Sequence, residues 1–169
     1  AEIMEGQQLQ MEYMHNNKKV SASAKAKPKP LFTADWCEVV YGELYAIGCT
    51  IRKMIYKPKN KKHTAAVFFI PGYNCGSIEG YSTNFNGKMI EGWVKAGYTV
   101  YTVEKSGLGD SKGCKPCAEV DLQTDIELFE TAYKDLASLD YIDKNNLFIW
   151  GHSMGGIIAP LIAQPGSTK

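Results

Sequence analysis

Leu147-Phe-Ile-Trp-Gly151-His-Ser153-Met-Gly155-Gly156 decides how the rest of this 169-residue chain is read. A four-residue apolar run, the length of a buried strand, leads straight into a G-x-S-x-G pattern. Ile157-Ile-Ala-Pro-Leu-Ile-Ala163 follows, an apolar segment rich in small residues that suits a helix packed on a sheet. A serine on so sharp a strand-to-helix turn is expected in a strained backbone conformation, its hydroxyl held out above the sheet. Side chains two positions to either side would collide across the turn, which calls for glycine at 151 and 155. The helix that starts at the serine points its free N–H groups and its dipole at the same place, and there they favour a developing negative charge.

Working back from the turn, other segments alternate between strand and helix. Ala65-Ala-Val-Phe-Phe-Ile70 is apolar at every residue, as expected of a strand covered on both faces. Phe85, Met89, Ile90, Trp93 and Val94 recur at helical spacing, with Glu91 and Lys95 four apart on the outer face and Gly97 as a stop. Tyr98 to Val103 reads as a strand. Leu122, Ile126, Phe129, Tyr133 and Leu136 mark a second amphipathic helix. Upstream, Glu38 to Tyr45 and Thr50 to Tyr56 form an antiparallel pair. This order implies crossover connections and an α/β fold, a mostly parallel sheet with flanking helices.

Three segments, in order, resemble the α/β-hydrolase family, in its branch of serine aminopeptidase-like and dienelactone hydrolase-like esterases. Val67-Phe-Phe-Ile-Pro-Gly-Tyr-Asn-Cys75 resembles the strand and loop that hold the family's oxyanion hole, with Pro71-Gly72 where many members have His-Gly. Val103-Glu-Lys-Ser-Gly-Leu-Gly-Asp-Ser-Lys-Gly113 resembles the glycine loop after the next strand, and Gly151 to Gly156 the nucleophile elbow. The resemblance covers about residues 37–163. It implies Ser153 as catalytic nucleophile, an oxyanion hole built from the backbone N–H groups of Met154 and Tyr73 with Asn74 as the alternative, and no metal or cofactor. The substrate it implies is a small-molecule ester or a peptide. Residues 106–113 fit neither the dinucleotide fingerprint nor a phosphate loop, and Asp110 and Ser111 read as loop-capping residues.

A serine nucleophile needs a base, and the base needs an orienting acid; in this fold they follow the serine as Asp or Glu, then His. Residues 154–169 contain none of these. His15 and His63 lie in polar turns, and His152, beside the serine, is expected to line or buttress the site. The expectation is therefore an α/β-hydrolase fold truncated after the elbow helix, with 31–169 its N-terminal half. Residues 8–14 and 18–25 flank His15-Asn16-Asn17 as a hairpin, and Lys25-Ala-Lys-Pro-Lys-Pro30 reads as a solvated linker. Residues 1–30 loosely resemble the C-terminal end of a PDZ domain followed by that linker. A binding or scaffolding protein that keeps the fold without the chemistry is the competing reading.

Composition excludes more than it assigns. With 19 basic and 18 acidic residues the chain lacks the positive field that nucleic acid or an anionic membrane would need. The longest apolar run, Ala65–Ile70, is far short of the roughly 20 residues that span a bilayer. Ala1-Glu-Ile-Met-Glu-Gly6 has neither the basic start nor the apolar core of a signal peptide, and the compartment stays open. Five cysteines leave at least one unpaired in a single chain. Cys114-Lys-Pro-Cys117 has CxxC spacing without the further ligands a zinc site requires; disulfides or structural thiols are expected, with metal and redox roles as alternatives.

Overall fold

The computed structural model describes residues 6–27, 31–79 and 84–163. Residues 1–5 of the expected PDZ-like remnant, the last linker residues 28–30 and the segments 80–83 and 164–169 lie outside them. The chain divides into two compact units, Ala1–Leu31 and Phe32–Lys169.

The first unit is a two-stranded antiparallel hairpin, β1 (Gln8–His15) and β2 (Lys18–Lys25), in register from Gln8↔Lys25 to His15↔Lys18. Asn16 and Asn17 take φ of 50° and 57°, the left-handed pair that a tight two-residue hairpin loop requires and that asparagine tolerates best after glycine. Met11, Tyr13 and Met14 remain exposed.

The second unit is built on a five-stranded sheet of order β3-β4-β6-β5-β7. Its strands are β3 (Cys37–Ala46), β4 (Cys49–Pro58), β5 (Thr64–Ile70), β6 (Thr99–Val103) and β7 (Ile142–Gly151). β3, β4 and β6 pair antiparallel, whereas β5 runs parallel to both β6 and β7. The sheet is thus mixed, its parallel half being the part that carries the elbow. β7 starts five residues earlier than the apolar run Leu147–Trp150 suggests. Polar Asp143–Asn146 hide its beginning, and the pairing with β5 shifts register between Thr64 and Ala66.

Alternation along β5 supplies both faces of the core. Ala66, Phe68 and Ile70 pack with Tyr101, Val103, Leu128, Phe129 and Leu136, while Val67 and Phe69 pack with Val100, Ile90 and Val94. The first set faces α2 (Leu122–Ser138) and α3 (Met154–Ile162), the second α1 (Phe85–Lys95). Asn84 caps α1 through the Gly87 N–H, and Asp121 caps α2 through the Thr124 N–H at 2.8 Å. The Glu91–Lys95 pair forms on the outer face of α1. Phe85 and Leu122 depart from the expected faces: each is the first residue of its helix and stays exposed.

Two disulfides join loops to the sheet, Cys49–Cys114 and Cys75–Cys117, and Cys37 is free and buried. The two cysteines of the CxxC spacing therefore bond to different distant partners. Neither the redox couple nor a shared metal fits this arrangement, because both thiols are consumed.

Candidate functional site

β7 ends at Gly151 and α3 begins at Met154, so the chain reverses from strand to helix over His152 and Ser153. Ser153 carries φ 54° and ψ −118°, a combination L residues avoid and that surrounding packing must enforce. The enforcement is visible atom by atom. A Cβ on Gly151 would lie 2.0 Å from the Gly155 carbonyl oxygen, and one on Gly155 would lie 2.3 Å from the Ile70 carbonyl oxygen. The two glycines let the helix sit directly on the strand ends. His152 N–H donates to the Ile70 carbonyl at 3.1 Å, and the Gly155 and Gly156 N–H groups donate to the carbonyls of His152 and Ser153, both at 2.9 Å. Ser153 is solvent-exposed.

The loop after β5 reaches the same point. A Cβ on Gly72 would stand 3.1 Å from both the Ser153 Cβ and the His152 Nδ1, so a side chain there would press on the serine and on His152. Tyr73 follows with its ring exposed and its N–H engaged by nothing among the described residues. Asn74 differs: its N–H donates to the Gly72 carbonyl at 3.0 Å and its Oδ1 accepts from Gly76 N–H at 3.3 Å. Its backbone donor is already used within the loop, which favours Tyr73 over Asn74. Met154 N–H, in the first turn of α3, precedes the intrahelical ladder and has no partner within the helix. Ser153, Tyr73 and Met154 thus belong to elements that meet at the carboxyl ends of β5 and β7.

His152 stacks on Trp150, ring centroids 6.1 Å apart, and Trp150 stacks on Phe69 at 4.8 Å. The ring is held beside the serine as a wall. His63 lies exposed in the turn before β5, and His15 belongs to the hairpin unit.

Around the glycine loop stands a cluster of charges that pattern reading passes over. Glu104, the residue after β6, is wholly buried; its Oε2 accepts from Ile78 N–H at 3.1 Å and its Oε1 from Ser77 Oγ. Arg52 on β4 meets Glu104 at 3.3 Å, Glu79 at 3.1 Å and Asp110 at 2.6 Å. Burial pushes the Glu104 carboxyl above its ordinary value, against the pull of Ser77, Ile78 and Arg52. Lys105 pairs with Asp125 of α2 at 3.2 Å, both buried, and burial likewise raises the Asp125 carboxyl. Asp110 and Ser111 hold the loop by receiving Arg52 Nη1 and the Arg52 N–H. The available signal was Glu104-Lys105 itself, two charges at the carboxyl end of a fully buried strand, where α/β sheets place their sites.

Known proteins resemble this chain in sequence and in fold. Residues 61–168 match the family model described as serine aminopeptidase, S33. The quorum-quenching protein AidA of Acinetobacter baumannii (strain MDR-ZJ06) is 36% identical over 68 residues, 40% of this chain and 22% of that one. A thiohydrolase of Eupenicillium brefeldianum is 25% identical over 112 residues, 66% of this chain and 34% of that one. Among solved structures, Est1E from Butyrivibrio proteoclasticus with ferulic acid bound superposes with a TM-score of 0.60 at 19% identity, over 72% of this chain and 46% of that one. The chain spans 22% and 34% of the lengths of the two curated relatives. With the family model covering well over half of it, the chain belongs to the serine aminopeptidase S33 family of α/β hydrolases.

Proposed function

We propose that the protein is a serine hydrolase that cleaves a carboxylic ester, with a thioester, amide or peptide bond as secondary possibilities, through an acyl intermediate on Ser153. The observation that carries this is the Ser153 backbone at φ 54° and ψ −118°, a strained turn at which both flanking glycines are sterically obligatory. In the first half-reaction Ser153 Oγ bonds to the acyl carbon, its proton passes to a base, and the C–O bond to the leaving alcohol breaks as that oxygen is protonated. Water then attacks the acyl-serine and releases the acid. The carbonyl oxygen, negative in each tetrahedral stage, accepts from the N–H groups of Met154 and Tyr73. One such donor is worth about 10²–10³ in kcat. The thiohydrolase relative and the neighbour that holds ferulic acid support acyl chemistry on small molecules.

His152 is stacked on Trp150, His63 lies exposed in the turn before β5, and residues 154–169 contain no His, Asp or Glu. Residues 1–169 on their own are accordingly expected to show little or no turnover. The whole protein, treated with a fluorophosphonate probe, should be labelled on Ser153, and Ser153→Ala should abolish the labelling. Labelling that persists in the alanine variant, or its absence from the intact protein, would overturn the assignment.

A further inference from the structure

The loop from Gly72 to Glu79 begins in no strand and carries the donor assigned to Tyr73. Such a segment holds one conformation only if tertiary contacts impose it. It is fixed at its start by the packing of Gly72 on Ser153, at Cys75 by the bond to Cys117, and at its end by charge. The last of these is the least expected. Glu104 is 0% exposed and spends both carboxylate oxygens on the loop: Oε2 on the Ile78 N–H at 3.1 Å, and Oε1 on the Ser77 hydroxyl. Arg52 extends the clamp by holding Glu104 with one hand and Glu79, the next loop residue, with the same Nη2 at 3.1 Å.

Three carboxylates, Glu79, Glu104 and Asp110, surround this one guanidinium. Burying so much charge is costly, and well-packed apolar residues often replace buried ion pairs with no loss of stability. The glycine loop is also shaped around the clamp. Gly109 sits at φ 57°, and a Cβ there would lie 2.6 Å from Glu104 Oε1 and 2.8 Å from Arg52 Nη2.

We propose that Glu104 is the positioning residue of the oxyanion loop: its carboxylate, braced by Arg52, grips Ser77 and Ile78 so that the Tyr73 N–H is presented to the carbonyl held at Ser153. The assignment rests on the hydrolase reading above, and its structural half can be tested without it. Glu104 touches no reacting atom. It acts through the backbone of four to five residues, and displacement of a donor by about 1 Å can cost about 100-fold in rate.

The experiment compares the whole protein with its Glu104→Gln and Ser77→Ala variants. Gln keeps the shape of Glu104 but replaces one acceptor with a donor and removes the charge that Arg52 meets. Ser77→Ala deletes one grip and leaves the buried charges intact, so it reads the clamp even if Glu104→Gln folds poorly. Backbone amide exchange by mass spectrometry is followed for peptides covering 72–79 and for β5 and β6 as internal references, alongside kcat and KM for a p-nitrophenyl ester and the rate of fluorophosphonate labelling. Exchange over 72–79 is expected to rise at least about tenfold with β5 and β6 unchanged, while kcat falls about 100-fold in Glu104→Gln at a KM within about threefold of the parent. Ser77→Ala should move both in the same direction by less. Unchanged exchange over 72–79 in both variants would overturn the clamp. Faster exchange there with kcat unaltered would overturn its role in positioning the donor. Loop exchange that responds while even the parent protein fails to react with the probe would retain the clamp and count against the hydrolase reading instead.

Discussion

Gly155 carries more of this architecture than any side chain near it. The 2.3 Å separation between its would-be Cβ and the Ile70 carbonyl oxygen involves two backbones, one in a helix and one at a strand end, and neither can yield cheaply. Gly155→Ala should therefore destabilise the second unit by about 3 kcal/mol, the upper end of what overpacking costs, and shift the urea midpoint downward. Gly92, within α1, has nothing within 4 Å of its would-be Cβ and lies on the exposed side. Gly92→Ala should raise stability by about 1 kcal/mol through helix propensity alone. Equal effects at the two sites would refute the steric account of the elbow. Cys37 makes a second residue-scale test. Burial pushes its thiol up to about 11, so at pH 8 the reactive thiolate is scarce as well as enclosed. Native protein should resist iodoacetamide, and denatured, unreduced protein should take up one equivalent, since the other four cysteines are bonded. Stoichiometric alkylation of the native chain within minutes at pH 8 would contradict the buried placement.

The elements separate what pattern can convey from what it cannot. β5, β6 and α2 were legible because burial on both faces, or on one helical stripe, writes itself into hydrophobic period: Ala66, Phe68 and Ile70 to one side, Val67 and Phe69 to the other. The elbow was legible because steric exclusion forces glycine at fixed spacing. The partners of the cysteines were not, since closure of a disulfide depends on which loops the sheet brings together. Neither was the Arg52–Glu104 pair, whose members lie 52 positions apart, one on β4 and the other just past the end of the adjacent β6, and whose pairing leaves no periodic trace. The disulfides themselves close loops with separations of 65 and 42 residues. In the chain-entropy account each is worth about 4 kcal/mol, and less than twice that together because the loops overlap. Reduction under native conditions should lower the thermal midpoint of the second unit. Cys75→Ser/Cys117→Ser should in addition accelerate amide exchange at residues 73–77 selectively, while Cys49→Ser/Cys114→Ser should not. The converse pattern, with the loop loosened only by loss of Cys49–Cys114, would place the constraint elsewhere.

At the scale of the whole molecule, the two units differ in what holds them. Residues 32–169 bury two hydrophobic clusters, one on each face of a five-stranded sheet, so opening β5 or β6 exposes core on both sides. The hairpin has two strands, a surface ion pair between Lys19 and Glu12 at 2.7 Å, and side chains that are mostly exposed. An exposed pair of that kind contributes at most about 1 kcal/mol, and a two-stranded hairpin is at best marginally stable by itself. Amide protection reports the free energy of the cheapest opening that frees each N–H. Amides of Gln8–Lys25 should therefore exchange within seconds to minutes under conditions where those of β5 and β6 persist for hours or longer. Hairpin protection as strong as that of β5 would mean that another surface covers β1 and β2. Its dependence on protein concentration would then say whether that surface belongs to a second copy: protection lost on dilution indicates association between chains, and protection that persists indicates cover supplied within one.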